Sequence, residues 1–120
     1  MKKLAVVITT PPYSNLSATA LDYVETALNS GVEVIGVFFY QDGVIHANQQ
    51  VQIASDEFQC IAHWEILHQT FNLPLHLCIT AAEKRGLSDE QPNNFHAIFI
   101  ISGLGELVEL ANKADRMVQF

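Results

Sequence analysis

Short unbroken apolar runs, separated by amphipathic stretches, organise the chain. Lys3 to Thr9 is a continuous β-rich run, as expected of a strand buried on both faces. Thr10 to Ser17, with Pro11, Pro12 and Tyr13, reads as a loop. Beyond it Ala18, Leu21, Val24 and Leu28 recur at helical spacing, with Asp22 and Glu25 on the other side. Ser17 supplies an N-cap for this helix and Gly31 ends it. Val32 to Tyr40 is a second buried strand, so strand, helix and strand predict a right-handed parallel crossover.

Gln41 to Ala54 is a polar connection of the length that tends to serve function in compact domains. A helix is predicted from Ser55 or Asp56 to Phe71, and it carries two apolar stripes. One holds Cys60, Ile61, Trp64, Leu67 and Phe71; the other holds Phe58, Ala62 and Ile66. A surface helix buries one stripe, so the second predicts cover by another subunit. Pro74 leads into a strand from Leu75 to Ile79, with His76 and Cys78 sharing one of its faces. Ser88, Asp89, Pro92 and Asn94 mark a loop, and Ala97 to Ile101 a fourth strand. Ser102-Gly103-Leu104-Gly105 then turns into a helix with Leu107, Leu110 and Ala111, before a last strand from Arg116 to Phe120. This alternation predicts one three-layer α/β domain over residues 1–120, around a mostly parallel sheet of about five strands.

The formal net charge is −7, from 6 Lys and Arg against 13 Asp and Glu. Gripping a phosphate backbone needs the opposite balance, so direct nucleic-acid binding is not expected. No apolar run is long enough to span a bilayer. The start, Met1-Lys2-Lys3 followed by Leu4 to Ile8, imitates a secretory signal, but the apolar part is short and no small-residue cleavage site follows. A cytoplasmic protein is expected. Two cysteines are too few for a disulfide framework, which fits a reducing compartment.

Chemistry concentrates at Cys78, where an apolar strand ends and a short helical turn begins. Parallel-sheet proteins bind and react outside the carboxyl ends of their strands. A helix start favours the thiolate, the reactive form of a thiol whose ordinary pKa is about 8.5. Arg85 and His76 are candidate helpers. The competing reading is a buried cysteine that serves as a small hydrophobe. Cys60, on a stripe with Trp64 and Leu67, reads as core. Cys60, His63 and His68 point in different directions on one helix and do not make a zinc set, so neither a metal nor a cofactor is expected. The Ser102-Gly103-Leu104-Gly105 turn lacks the third glycine and the Lys-Ser or Lys-Thr pair of phosphate loops; its glycines are expected to let strand and helix pack closely. Tyr13, His46 and Asn48 lie in loops expected at the sheet edge of Cys78, as pocket lining or as solvated residues.

Taken in order, Pro11-Pro12-Tyr13, the block Val37 to Val44, Ala47-Asn48-Gln49, Ala54-Ser55-Asp56-Glu57-Phe58, Cys78-Ile79-Thr80-Ala81-Ala82 with Arg85-Gly86, Ser102-Gly103-Leu104-Gly105 and the tail Asp115 to Phe120 resemble the DsrE/TusD family of sulfurtransferase subunits nearly end to end. The resemblance implies a flavodoxin-like (DsrEFH-like) fold and a subunit that accepts persulfide sulfur on Cys78. It further implies TusB- and TusC-like partner subunits in a heterohexamer, a TusA-like donor, a TusE-like acceptor, and 2-thiouridine at the tRNA wobble position as the destination. A homo-oligomer is the alternative when the chain is alone. Two other functions stay open: a DsrE-type sulfur carrier in sulfur oxidation, and a non-catalytic binding or assembly module. The segment between Gly86 and Ser102 departs from the family pattern by being short, which bears on the rim beside Cys78 and on donor and acceptor choice.

Overall fold

The protein is described from a computed structural model, for residues 2–87 and 94–120. Among the described residues five strands form one sheet in the order β4-β3-β2-β1-β5, and every neighbouring pair is parallel. They are β1 (Lys3–Ile8), β2 (Glu33–Phe39), β3 (Leu75–Cys78), β4 (Ile100–Ser102) and β5 (Arg116–Gln119). Parallel pairing gathers the carboxyl ends of all five strands on one rim, and Cys78, opposite Ser102, lies on it.

Side-chain alternation along β2 separates the layers. Phe39 meets Trp64 of α2 (Cys60–Phe71), with ring centroids 5.4 Å apart, so α2 covers that face. The adjacent Phe38 stacks on His76 on the opposite face. There α4 (Leu104–Lys113) packs so closely over Gly36 that a Cβ at Gly36 would come 3.1 Å from Leu110. Helix α1 (Asn15–Asn29) packs beside α2 and buries Ala20, Leu21 and Val24. The three-layer α/β arrangement is as the apolar runs predict, and the sheet is wholly parallel.

Several elements differ in extent from the sequence pattern. Helix α1 begins at Asn15 rather than Ala18, because Ser14 accepts the Leu16 N–H and takes the N-cap. Ser17 is instead buried in the first turn, where its hydroxyl donates to the Pro11 carbonyl at 2.6 Å. Helix α2 begins at Cys60, not Ser55 or Asp56. The Gln59 amide donates to the carbonyls of Ile53, Ala54 and Glu57, which holds the preceding residues in turns. β3 stops at Cys78, and Ile79 starts α3 (Ile79–Glu83). β4 is Ile100–Ser102 rather than Ala97–Ile101, because residues 97–99 turn so that the Phe99 N–H reaches the His96 carbonyl. The loop reading at Ser88, Asp89 and Pro92 lies outside the described residues; Asn94, just beyond it, donates to the Gly86 carbonyl.

The largest departure is at Gln41–Ala47, expected to open a polar loop. It is a 3-10 helix with Gly43, Val44, His46 and Ala47 buried. Its Gly43 sits against the Ile8 carbonyl so tightly that a side chain would collide with it. His46 is fully buried beside Phe39, and its Nε2–H donates to the Thr10 carbonyl at 3.0 Å. Burial pushes its pKa down to about 3, opposed in part by that hydrogen bond. The unfolded chain therefore binds a proton at His46 below about pH 6.5 that the folded chain refuses. Stability is expected to fall by about 1.4 kcal/mol per pH unit from this group as pH drops from about 6.5 towards 3. His76, whose pKa is also lowered by burial, acts with the same sign. Urea unfolding of His46→Gln across that range should show a shallower loss by about one proton; an unchanged slope would contradict the buried neutral imidazole.

Candidate functional site

Cys78 closes β3, whose four residues are all buried, and occupies the N-cap position of α3. The first N–H groups of any helix lack partners within it, so this position presents donors to an anion. Only 1% of Cys78 is exposed, yet it borders a cleft of about 270 Å³. Tyr40, just after β2, and Gln41, the first residue of the 3-10 helix, line this cleft; α3 supplies Thr80 and Ala81, and α4 begins there with Leu104. Gln41 has φ 51°, a left-handed conformation that is uncommon for a residue with a side chain. Such strain is held in place by its surroundings and clusters at functional sites.

Asp42 and Arg85 hold two walls of the cleft together. The Arg85 Nε and Nη2 donate to Asp42 Oδ1 at 3.0 and 2.9 Å, and Nη1 donates to the Ala81 carbonyl at 3.0 Å. Arg85 lines the cleft, but its guanidinium is committed to tying α3 to the 3-10 helix. His76 shares a face of β3 with Cys78 by alternation, and its contacts lead elsewhere. The Ser102 hydroxyl donates to the Ile100 carbonyl at 3.3 Å, which leaves its oxygen to accept the His76 Nδ1–H at 3.0 Å. His76 Nε2 stands 3.6 Å from Glu106. Burial lowers the His76 pKa, with Glu106 pulling the other way, so the ring belongs to an α4 packing cluster.

The remaining candidates lie apart from this cleft. Cys60 is fully buried in α2, and burial pushes its thiol up to about 11, away from the reactive thiolate. His63 and His68 turn their Nδ1 atoms to the Gln59 and Leu73 carbonyls. Among the described residues no group of three His, Cys, Asp or Glu could hold a metal ion. Tyr13, 63% exposed, lines a separate cavity with Phe58. His46 is core, and Asn48 accepts the Gln50 N–H. Neither Gly103 nor Gly105 would bring a Cβ within 4 Å of another atom, so the expected close strand–helix packing at these glycines is absent. A separate cavity of about 410 Å³ lies at the opposite end of the sheet, against Lys3, Tyr23 and Arg116. Among the described residues no helix is long and apolar enough to cross a membrane. Tyr40, Gln41, Lys84 and Leu104 were not singled out from sequence as cleft residues. The available signal was that Tyr40-Gln41 directly follows a buried parallel strand, whose end must share the rim of Cys78.

A parallel α/β sheet with a thiol at its carboxyl rim defines a class of fold and site, and relatives narrow it. The chain belongs to the DsrE/DsrF-like family, which it matches over residues 2–120. It is 39% identical over 127 residues to "Sulfurtransferase TusD" of Klebsiella pneumoniae subsp. pneumoniae, covering 98% of this chain and 99% of that one. It is 35% identical over 129 residues to "Sulfurtransferase TusD" of Pectobacterium carotovorum subsp. carotovorum, covering the whole of both. These relatives bear out the sulfurtransferase expected from the sequence. The crystal structure of the ychN protein from E. coli shares the fold, with a TM-score of 0.84 over both full chains at 23% identity.

Proposed function

We propose that the chain is a sulfur-relay subunit that carries persulfide sulfur on Cys78 and passes it on for 2-thiouridine formation at the tRNA wobble position. The observation that carries this reading is the Cys78 thiol itself, set at a helix start on the carboxyl rim of the sheet and bordering a cleft. Membership of a family with sulfurtransferase relatives supports it.

The Cys78 thiolate attacks the terminal sulfur of a donor persulfide, R–S–SH. A new S–S bond forms, the donor's S–S bond breaks, and the donor leaves as the thiolate R–S⁻ with the electron pair. Cys78 is left as Cys78–S–SH, and an acceptor thiolate removes that terminal sulfur by the same exchange. No net oxidation occurs. The N–H groups at the start of α3 stabilise the anion during both steps.

Partners follow from the same reading: TusB- and TusC-like subunits in the assembly, a TusA-like donor and a TusE-like acceptor, working in the cytoplasm. Phe58, just before α2, and Ile66 on it are 42% and 57% exposed, which supports a protein partner over that face. The −7 charge favours protein over direct tRNA contact. In a bacterium lacking its own TusD, this chain with its partner subunits is expected to restore wobble 2-thiouridine, and Cys78→Ser to leave it absent. Absence of thiolated tRNA with the unaltered chain would contradict the pathway.

A further inference from the structure

We propose that Lys84 is a specificity-determining residue, whose charge makes the Cys78 cleft select anionic sulfur donors: persulfides with carboxylates flanking the reacting cysteine. The proposal rests on Cys78 being the sulfur-accepting residue.

Acidic residues outnumber basic ones 13 to 6 in the chain, so a donor carrying carboxylates is repelled by most of its surface. The cleft departs from this balance. Among the described residues its charged lining is Lys84 and Arg85, with no carboxylate. The Arg85 charge is matched by Asp42 through two hydrogen bonds to one oxygen. Lys84 has no such match: among the described residues no carboxylate lies within ion-pair distance of its ammonium. Its backbone N–H donates to the Thr80 carbonyl at 3.2 Å, which fixes the start of its stem at the cleft wall. Lys84 lies six positions after Cys78, about 9 Å at a helical rise, and lines the same cleft, so its flexible stem reaches the approach to the thiol.

Lys84 also suits the C-terminal end of α3, where a cation complements the helix dipole. A residue with that structural role alone would change stability and leave the charge preference of Cys78 unmoved. The two roles are therefore separable by experiment.

Iodoacetate and iodoacetamide alkylate thiols by the same displacement and differ in charge. Their rate ratio at Cys78, followed on its peptide by mass spectrometry, reads the local charge without any sulfur transfer. At low ionic strength Lys84→Glu is expected to lower the iodoacetate-to-iodoacetamide ratio about four-fold, and added salt to erase the difference. Lys84→Arg should keep the wild-type ratio. Lys113→Glu, which alters net charge equally at an exposed pair with Glu109, should keep it too. Sulfur loading from two synthetic peptide persulfides, alike except for Asp or Asn beside the cysteine, should favour the Asp peptide in the wild type and lose that preference in Lys84→Glu. A ratio unmoved by Lys84→Glu, or equal loading from both peptides, would overturn the proposal. Loading from neither peptide by the wild type, with the alkylation ratio still shifted, would overturn the sulfur-carrier reading beneath it.

Discussion

Replacing Cys78 with serine is expected to reduce sulfur loading of the chain below detection while leaving it folded. Serine is nearly the same size, so the buried end of β3 keeps its packing, and the cleft side offers the hydroxyl a polar setting. The cost in stability should be about 1 kcal/mol. The hydroxyl has no accessible anionic form at neutral pH and cannot hold a transferable sulfur, so the chemistry is lost outright. Thermal unfolding and sulfur loading, measured on the same preparation, separate the two effects. A serine variant that still gained sulfur would place it on Cys60, the other cysteine of the chain, and would contradict the description of Cys60 as an unreactive buried thiol.

A second large effect is expected at Gly43. The 3-10 helix Gln41–Ala47 reaches the sheet only because Gly43 lies directly on the Ile8 carbonyl, and a methyl group there collides with backbone rather than with a side chain that can move aside. Gly43→Ala should destabilise the fold by about 3 kcal/mol or more, at the upper end of overpacking costs. Because Gln41 and Asp42 lie within this helix, its displacement should also open the cleft and loosen the Asp42–Arg85 tie. Urea unfolding should show the loss, and Cys78 alkylation by a neutral reagent should quicken. Stability within about 0.5 kcal/mol of wild type would show that the helix relaxes freely, against the packing described here.

The sheet was legible because buried parallel strands write themselves as continuous apolar runs, as in Val34 to Phe39. The position of Cys78 followed from the end of one such run. What sequence did not reveal was decided by tertiary contacts. His46 and Gly43 carry loop-like identities, yet Thr10 and Ile8 supply the hydrogen bond and close approach that place them in the core. Ser55 and Asp56 read as a helix start, but the Gln59 amide claims the carbonyls upstream and holds those residues in turns. Arg85 looked like a helper for the thiol, and its partner Asp42, 43 positions away, was invisible to any local pattern. The bounds of the short β4 shifted for a related reason: Ala97, Ile98 and Phe99 are as apolar as a strand, and a turn at His96 diverts them.

The most direct test of the central claim is peptide mass spectrometry of the chain, assembled with its partner subunits, after incubation with a cysteine desulfurase, cysteine and a small sulfur carrier. The account predicts one added sulfur atom on the peptide containing Cys78, removed by a thiol reductant, and none on the peptide containing Cys60. No added sulfur at Cys78 with donor and partners present would contradict it, and would leave this fold serving binding or assembly instead.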